Sequence, residues 1–214
     1  PTANLYLNDG SGSFSLAPGT PFEASNGGDI TFGDMDGDMD MDLLMTGQDG
    51  SATVFTKLYR NNGGGSFSLV SGTPFTPVWM SSTEFIDLDN DNDYDLLICG
   101  LDASGTQVTN LYQNNGSGSF TAVTGLPFEG VEFGDIAFGD TDQDGDKDLF
   151  LVGTNSSNQS IASLYINNGG LSFSLLPNTP FPGTSLHSAT LADLNNDGYP
   201  DLVQVGLSAA GLIA

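Results

Sequence analysis

The stretch DITFGDMDGDMDMDLLMTG, Asp29 to Gly47, decides the fold. Two short apolar segments, Asp29 to Asp34 and Asp42 to Gly47, flank a loop in which every second residue from Asp34 to Asp42 is an aspartate. The flanks are rich in aliphatic and aromatic residues and bounded by Gly and Asp, which is strand chemistry. Downstream, a segment ending Leu58-Tyr59-Arg60-Asn61-Asn62 and one beginning Ser66-Phe67-Ser68-Leu69 read as two further strands. The Asn-Asn-Gly-Gly between them supplies the positive-φ residues of a hairpin turn. The unit is four short antiparallel strands.

That unit recurs. Leu-Tyr stands at Leu5-Tyr6, Leu58-Tyr59, Leu111-Tyr112 and Leu164-Tyr165, an interval of 53 residues each time. Phe14, Phe67, Phe120 and Phe173 keep the same interval, as do Phe22, Phe75, Phe128 and Phe181, each preceded by Pro. The acidic loops open at Asp34, Asp87, Asp140 and Asp193. Repeat periods of about 1–53, 54–106, 107–159 and 160–214 predict one all-β domain over residues 1–214, a β-propeller of four-stranded antiparallel blades. The phase puts half a blade at each terminus: strands three and four at Leu5 to Leu16, strands one and two at Ser188 to Gly206. Joining the halves removes two exposed sheet edges. Three arrangements do this: a closed four-bladed ring, an eight-bladed ring in which two chains exchange half-blades as a homodimer, or a longer array whose neighbours supply the missing strands.

Composition narrows the function. Twenty-seven acidic residues face three basic ones, a formal charge of −24, which excludes nucleic-acid binding by phosphate neutralisation. Lys57, Arg60 and Lys147 are the whole cationic set and leave little to hold a phosphorylated cofactor or an anionic membrane surface. No run of 18 apolar residues exists, so no membrane insertion is expected. The opening Pro1-Thr2-Ala3-Asn4 lacks Met and a signal-peptide profile, as expected of a mature product or an excised piece. The one cysteine, Cys99, forms no intrachain disulfide.

Eighteen of the 23 aspartates lie in the four loops. Carboxylates so crowded repel unless a cation sits among them. Oxygen-only donors on a tight loop suit Ca²⁺, which takes six to eight oxygens, better than Mg²⁺, and the absence of His and Cys argues against zinc and copper. An EF-hand would need Glu at its twelfth position, where Met45, Ile98, Leu151 and Gln204 stand.

The pattern Asp-x-(Asp/Asn)-x-(Asp/Asn)-(Gly)-x-x-Asp-Leu, in four-stranded repeats with Phe-Gly before it, resembles the FG-GAP/VCBS repeat of integrin alpha-subunit propellers and of many secreted bacterial proteins. The resemblance spans essentially the whole chain. It implies one Ca²⁺ per loop, about four per chain, held by the side chains of loop positions one, three, five and nine and the carbonyl of position seven. Those residues are Asp34, Asp36, Asp38, Asp42 and the carbonyl of Asp40 in the first loop, and Asp87, Asp89, Asp91, Asp95 and that of Asp93 in the second. In the third they are Asp140, Asp142, Asp144, Asp148 and Asp146, and in the fourth Asp193, Asn195, Asp197, Asp201 and Tyr199. The family favours Gly at position six, met by Gly145 and Gly198, whereas Asn92 and Met39 depart from it. Met in a positive-φ conformation costs roughly 1 kcal/mol or more, so the first loop is expected either to rearrange around Gly37 or to be the weakest site.

Saturated ligand sets in hairpin turns read as structural calcium, and millimolar extracellular calcium suits such sites, so a secreted or cell-surface location is expected. The sequons at Asn115, Asn155 and Asn158 agree with it where the host glycosylates. The calcium face is nearly uniform between repeats and the opposite face varies. There, Trp79, Glu129 and Glu132 suit a protein or carbohydrate ligand, while Trp79 and Phe133 equally suit packing between blades; the repeated tyrosines read as packing and the lone His187 as a surface residue. The expected function is an adhesion or interaction module and not an enzyme. A regular scaffold without its own ligand, engineered or truncated, is the alternative, and a propeller-based lyase or dehydratase is disfavoured because no catalytic constellation is legible.

Overall fold

A computed structural model describes the backbone of residues 1–208 and 211–212, with side chains for 1–184 and 188–207. The side chain of His187 lies outside the described residues. Three complete blades follow one another. The first contains β3 (Ile30–Gly33), β4 (Asp42–Gln48), β5 (Val54–Asn61) and β6 (Phe67–Leu69). The second contains β7 (Val78–Ile86), β8 (Asp95–Asp102), β9 (Gln107–Asn114) and β10 (Phe120–Val123), and the third β11 (Glu132–Gly139), β12 (Asp148–Thr154), β13 (Ser160–Asn167) and β14 (Phe173–Leu175). Each is a meander of antiparallel neighbours. Before them β1 (Tyr6–Asn8) pairs only with β2 (Phe14–Leu16); after them β15 (Thr184–Ala192), β16 (Asp201–Ser208) and β17 (Gly211–Leu212) form a three-stranded sheet.

The second strand of each complete blade is flanked by strands of its own sheet and covered on its faces, which explains its unbroken apolar run. Neighbouring blades supply the cover in the second and third blades; in the first, the second blade covers one side and Ala3, Phe22 and Phe67 the other. Leu43, Leu44 and Met45, then Leu96, Leu97, Ile98 and Cys99, then Leu149, Phe150, Leu151 and Val152 are all buried. The innermost strands β3, β7, β11 and β15 lie side by side and are tied through their polar groups. Asp29 accepts from the Thr83 N–H at 2.8 Å and from its hydroxyl at 3.0 Å, and Asp135 accepts from the Ala189 N–H at 2.7 Å. Bulges between Trp79 and Ser82, Glu132 and Asp135, and Ser185 and Ser188 bend the inner strands at one shared repeat position.

The repeated aromatics account for the outer packing. Phe22 meets Tyr59 and Phe67 edge-to-face at 5.2 and 5.0 Å, Phe75 meets Tyr112 and Phe120 at 5.0 and 5.1 Å, and Phe128 meets Tyr165 and Phe173 at 5.0 Å. Each tyrosine hydroxyl accepts a backbone N–H from the connection entering its blade: Glu23 to Tyr59, Thr76 to Tyr112 and Glu129 to Tyr165, at 2.9 to 3.0 Å.

The terminal sheets depart from the expected bare halves. The carboxyl-terminal one gains a third strand, since Leu212 pairs with Leu207. Among the described residues no ladder joins β1 to β16, and the sheets do not close into a ring. Tyr6 and Phe14 are consequently 55% and 65% exposed, although Tyr59, Tyr112 and Tyr165 at the same repeat position are at most 2% exposed. No helix of the described residues is long and apolar enough to cross a membrane.

Candidate metal centres

Each acidic loop bridges the first two strands of a blade and is folded by its own aspartates. In the first loop Asp34 accepts the N–H groups of Gly37 (2.9 Å), Asp38 (3.2 Å) and Met39 (2.9 Å). Asp140 accepts from Asp144 and Gly145, and Asp193 from Asn196, Asp197 and Gly198, so one pattern wraps the turns. Position six has positive φ throughout: Met39 71°, Asn92 70°, Gly145 96°, Gly198 90°. Position four does as well, at Gly37 75°, Asn90 61°, Gln143 62° and Asn196 62°. The first loop therefore keeps the common geometry and does not rearrange around Gly37. Instead Met39 takes the strained conformation, with its side chain 90% exposed.

This wrapping gathers carboxylates. Asp34, Asp36 and Asp38 bring one oxygen each within 4.8 Å of one another, as do Asp87, Asp89 and Asp91, and Asp140, Asp142 and Asp144. In the fourth loop Asn195 stands in the middle, and its amide donates to Asp197 at 3.0 Å in place of a carboxylate repulsion. The aspartates at position nine belong to the start of the second strand, where Asp42, Asp95 and Asp148 are fully buried and Asp201 is half-buried. Each braces the loop to the sheet. Asp42 accepts from the Met35 N–H at 3.0 Å and the Asn61 N–H at 2.7 Å; Asp95 does so from Leu88 and Asn114, and Asp148 from Thr141 and Asn167. Asp201 accepts from Leu194 at 3.1 Å. In Asp42 and Asp95 these hydrogen bonds use one lone pair on each oxygen, so the carboxylate retains acceptor capacity, whereas Asp148 Oδ2 accepts from the Thr141 hydroxyl as well as its N–H.

At position seven the side chains of Asp40, Asp93 and Asp146 lie against Gly63, Gly116 and Gly169 of the hairpin turn between strands three and four. Asp146 also accepts from Asn90 of the neighbouring loop at 2.7 Å. Tyr199 at the same position is half exposed, and its N–H donates to Asp197 at 2.8 Å.

Electrostatically the loops are under load. Burial raises the Asp42 carboxyl above its ordinary range, and Asp36 and Asp38 push the same way. Asp95 is pushed up to about 7, chiefly by burial, with Asp89 and Asp91 adding to it against the Asn114 and Leu88 N–H groups. Asp89 is raised by burial and then by Asp91. Asp36 Oδ1, Asp87 Oδ1 and Asp89 Oδ1 are buried with no hydrogen-bond partner. Buried carboxylate oxygens without a donor are costly. A hard divalent cation bound by the triplets would satisfy them, so the donor set fits Ca²⁺.

Sequence reasoning missed several structural parts. The asparagines closing the third strand reach across blades: Asn114 Nδ2 donates to the Met35 carbonyl at 2.8 Å and Asn167 Nδ2 to that of Leu88 at 2.9 Å. Their recurrence at the 53-residue interval was the available signal. On the opposite face Asp49, Asp102 and Asn155 each cap a hairpin by accepting the N–H groups two and four residues on. Asn155 is 5% exposed and its amide donates to Glu129 at 2.6 Å, so this sequon is not free in the folded chain. Glu132 accepts from Gln107 at 3.0 Å, and Trp79 is half-buried over Gly27.

Comparison with known proteins agrees with this architecture. A model of the FG-GAP-like repeat matches residues 34–98, 87–151 and 140–203, three overlapping copies that each open on the first aspartate of a loop. No curated protein matches the chain. With the repeat matched across most of its length and each match beginning where a carboxylate triplet forms, the chain belongs to the FG-GAP-like repeat family.

Proposed function

We propose that this chain is a calcium-stabilised, propeller-type interaction module working in a calcium-rich extracellular or cell-surface setting, and that it acts by binding rather than by catalysis. The observation that carries the reading is the triplet of aspartate oxygens repeated in three loops, with buried oxygens in the first and second that lack any donor. Calcium is structural in this reading: filling the loops relieves repulsion in the folded state only, and mass action then couples metal to stability. Repeats of this family occur in extracellular and surface proteins, which supports the location. The first loop, with Met39 strained, is the weakest site, and the fourth, with Asn195, repels least when empty. A calorimetric melt in millimolar CaCl₂ and again in chelator tests the reading. A large fall in melting temperature on chelation is expected, and an unchanged melt overturns it.

The ligand surface is the face away from the metal loops, where connections vary between blades. Glu129 and Glu132 already accept hydrogen bonds from Asn155 and Gln107, so the protein or carbohydrate partner meets a pre-ordered polar surface. A glycan array read with and without calcium separates a carbohydrate from a protein partner.

Blade completion belongs to the same proposal. The internal pairings Leu149 with Tyr165 and Phe150 with Leu164 set the register in which Tyr6 would lie opposite Leu202 and Leu5 opposite Val203. The apolar residues awaiting cover stand at the two ends of the array: Ile30 and Phe32 at one, 53% and 55% exposed, and Val203 and Val205 at the other, 46% and 61% exposed. The half-blades complete each other within one chain or between two copies. Sedimentation equilibrium distinguishes the 22.2 kDa chain from a species of twice that mass.

A further inference from the structure

We infer that one position on the third strand of each blade sets how tightly the adjacent loop holds its metal, with Arg60 and Gln113 acting as positioning residues and Ile166 leaving its loop unassisted. The inference rests on the calcium reading of the loops. Arg60, Gln113 and Ile166 share one repeat position, paired across the hairpin with Ser68, Thr121 and Ser174. Arg60 Nε stands 3.0 Å from Asp36 Oδ2, and the Asp36 side chain is 11% exposed. Gln113 Nε2 donates to Asp89 Oδ2 at 2.7 Å. Asp36 and Asp89 are the third-position aspartates of their loops, and in both the other oxygen, Oδ1, is buried without a partner. The strand residue therefore grips one oxygen and leaves its twin free for the cluster. Ile166 has no donor to offer, and Asp142, the corresponding aspartate of the third loop, is exposed.

Gripping a ligand from behind fixes its rotamer before the metal arrives, which raises affinity. The two grips differ in charge. Gln113 is neutral and adds orientation alone. Arg60 adds orientation together with a full positive charge close to the site of a dication, and that repulsion lowers affinity. In the metal-free chain the same charge offsets the repulsion among Asp34, Asp36 and Asp38. The second loop is thus the tightest of the three triplets, and the first is weakened by a cation as well as by Met39.

The test is calcium titration by isothermal calorimetry on the full chain and on Arg60→Gln, Gln113→Leu and Ile166→Gln, using CaCl₂ alone. Each variant is also melted in chelator to compare the metal-free folds. Arg60→Gln is expected to tighten one site several-fold, and Ile166→Gln to tighten another. Gln113→Leu is expected to weaken the tightest site by about tenfold. A merely structural role for these residues would not raise affinity on substitution, so the two gain-of-affinity variants carry the proposal even where Gln113→Leu folds poorly. Calcium binding with unaltered affinities in Arg60→Gln and Ile166→Gln overturns the inference and leaves the calcium reading standing. Absence of binding by the unmodified chain overturns both.

Discussion

Two residues per loop adopt a left-handed backbone, and only some of them are glycine. Replacing Met39 by Gly relieves the strain at φ 71° without removing any buried contact, since the methionine side chain is 90% exposed. An increase in stability of about 1 kcal/mol is expected, read as a rise of roughly 2–4 °C in the calorimetric melt. Gly116 is the opposite case. It sits at φ 74°, and a Cβ there would lie 2.2 Å from Asp93 Oδ2. Gly116→Ala combines backbone strain with a displaced loop aspartate, and a loss of about 1–3 kcal/mol is expected in chemical denaturation. The turn chemistry around Gly116 was legible in the sequence. The aspartate of another hairpin pressing on it was not, because that contact exists only once the two loops share a face.

At the scale of the element, each of the first three acidic loops is welded to its blade by a buried aspartate that accepts one N–H from the loop and one from the third strand. Burial raises Asp42 and lifts Asp95 to about 7, both above the ordinary range of an unfolded carboxylate. A group whose pKa is raised by folding stabilises in full below its unfolded value, and that contribution is lost as pH rises through the folded one. The metal-free protein is therefore expected to melt at progressively lower temperature between pH 5 and pH 8. Calcium, competing with protons for the same loops, is expected to add more stability at pH 8 than at pH 5. Calorimetry in chelator and in CaCl₂ across that range checks both slopes. The exposed hairpin aspartates Asp49 and Asp102 are shifted down by their N–H donors and act at more acid pH, outside this window. The strand-loop-strand order of these elements followed from alternating composition, whereas the depth of Asp95 depended on the loop and the third strand, with Leu88 and Asn114, closing on it in the folded sheet.

Across the whole molecule, stability resides in contacts between consecutive blades, as expected of a repeat array. Cys99 reports on them. It is fully buried against Val131 and Leu97 in the central cluster, and burial pushes its thiol up to about 12. In calcium it is expected to resist alkylation at pH 8, and in chelator at elevated temperature to react as the blades part, with mass spectrometry following the adduct. The uncovered ends give a second expectation. Val205→Asp places a charge on an apolar face that is 61% exposed in the single chain. If that face completes a blade, the substitution abolishes any dimer in sedimentation while leaving the monomer's melt nearly unchanged.

The repeat length, the four-stranded unit, the acidic turns and the aromatic positions are properties of the sequence, because a 53-residue period places identical chemistry at identical points on successive sheets. Tertiary structure alone decided which oxygens of Asp36 and Asp89 are held from behind, how deeply Asp95 is buried, and that the terminal sheets stand apart with their apolar faces open. The physical reason is range. Turn and strand preferences act between residues a few positions apart, while desolvation, cross-blade hydrogen bonding and edge pairing depend on surfaces that meet only when whole blades form and stack.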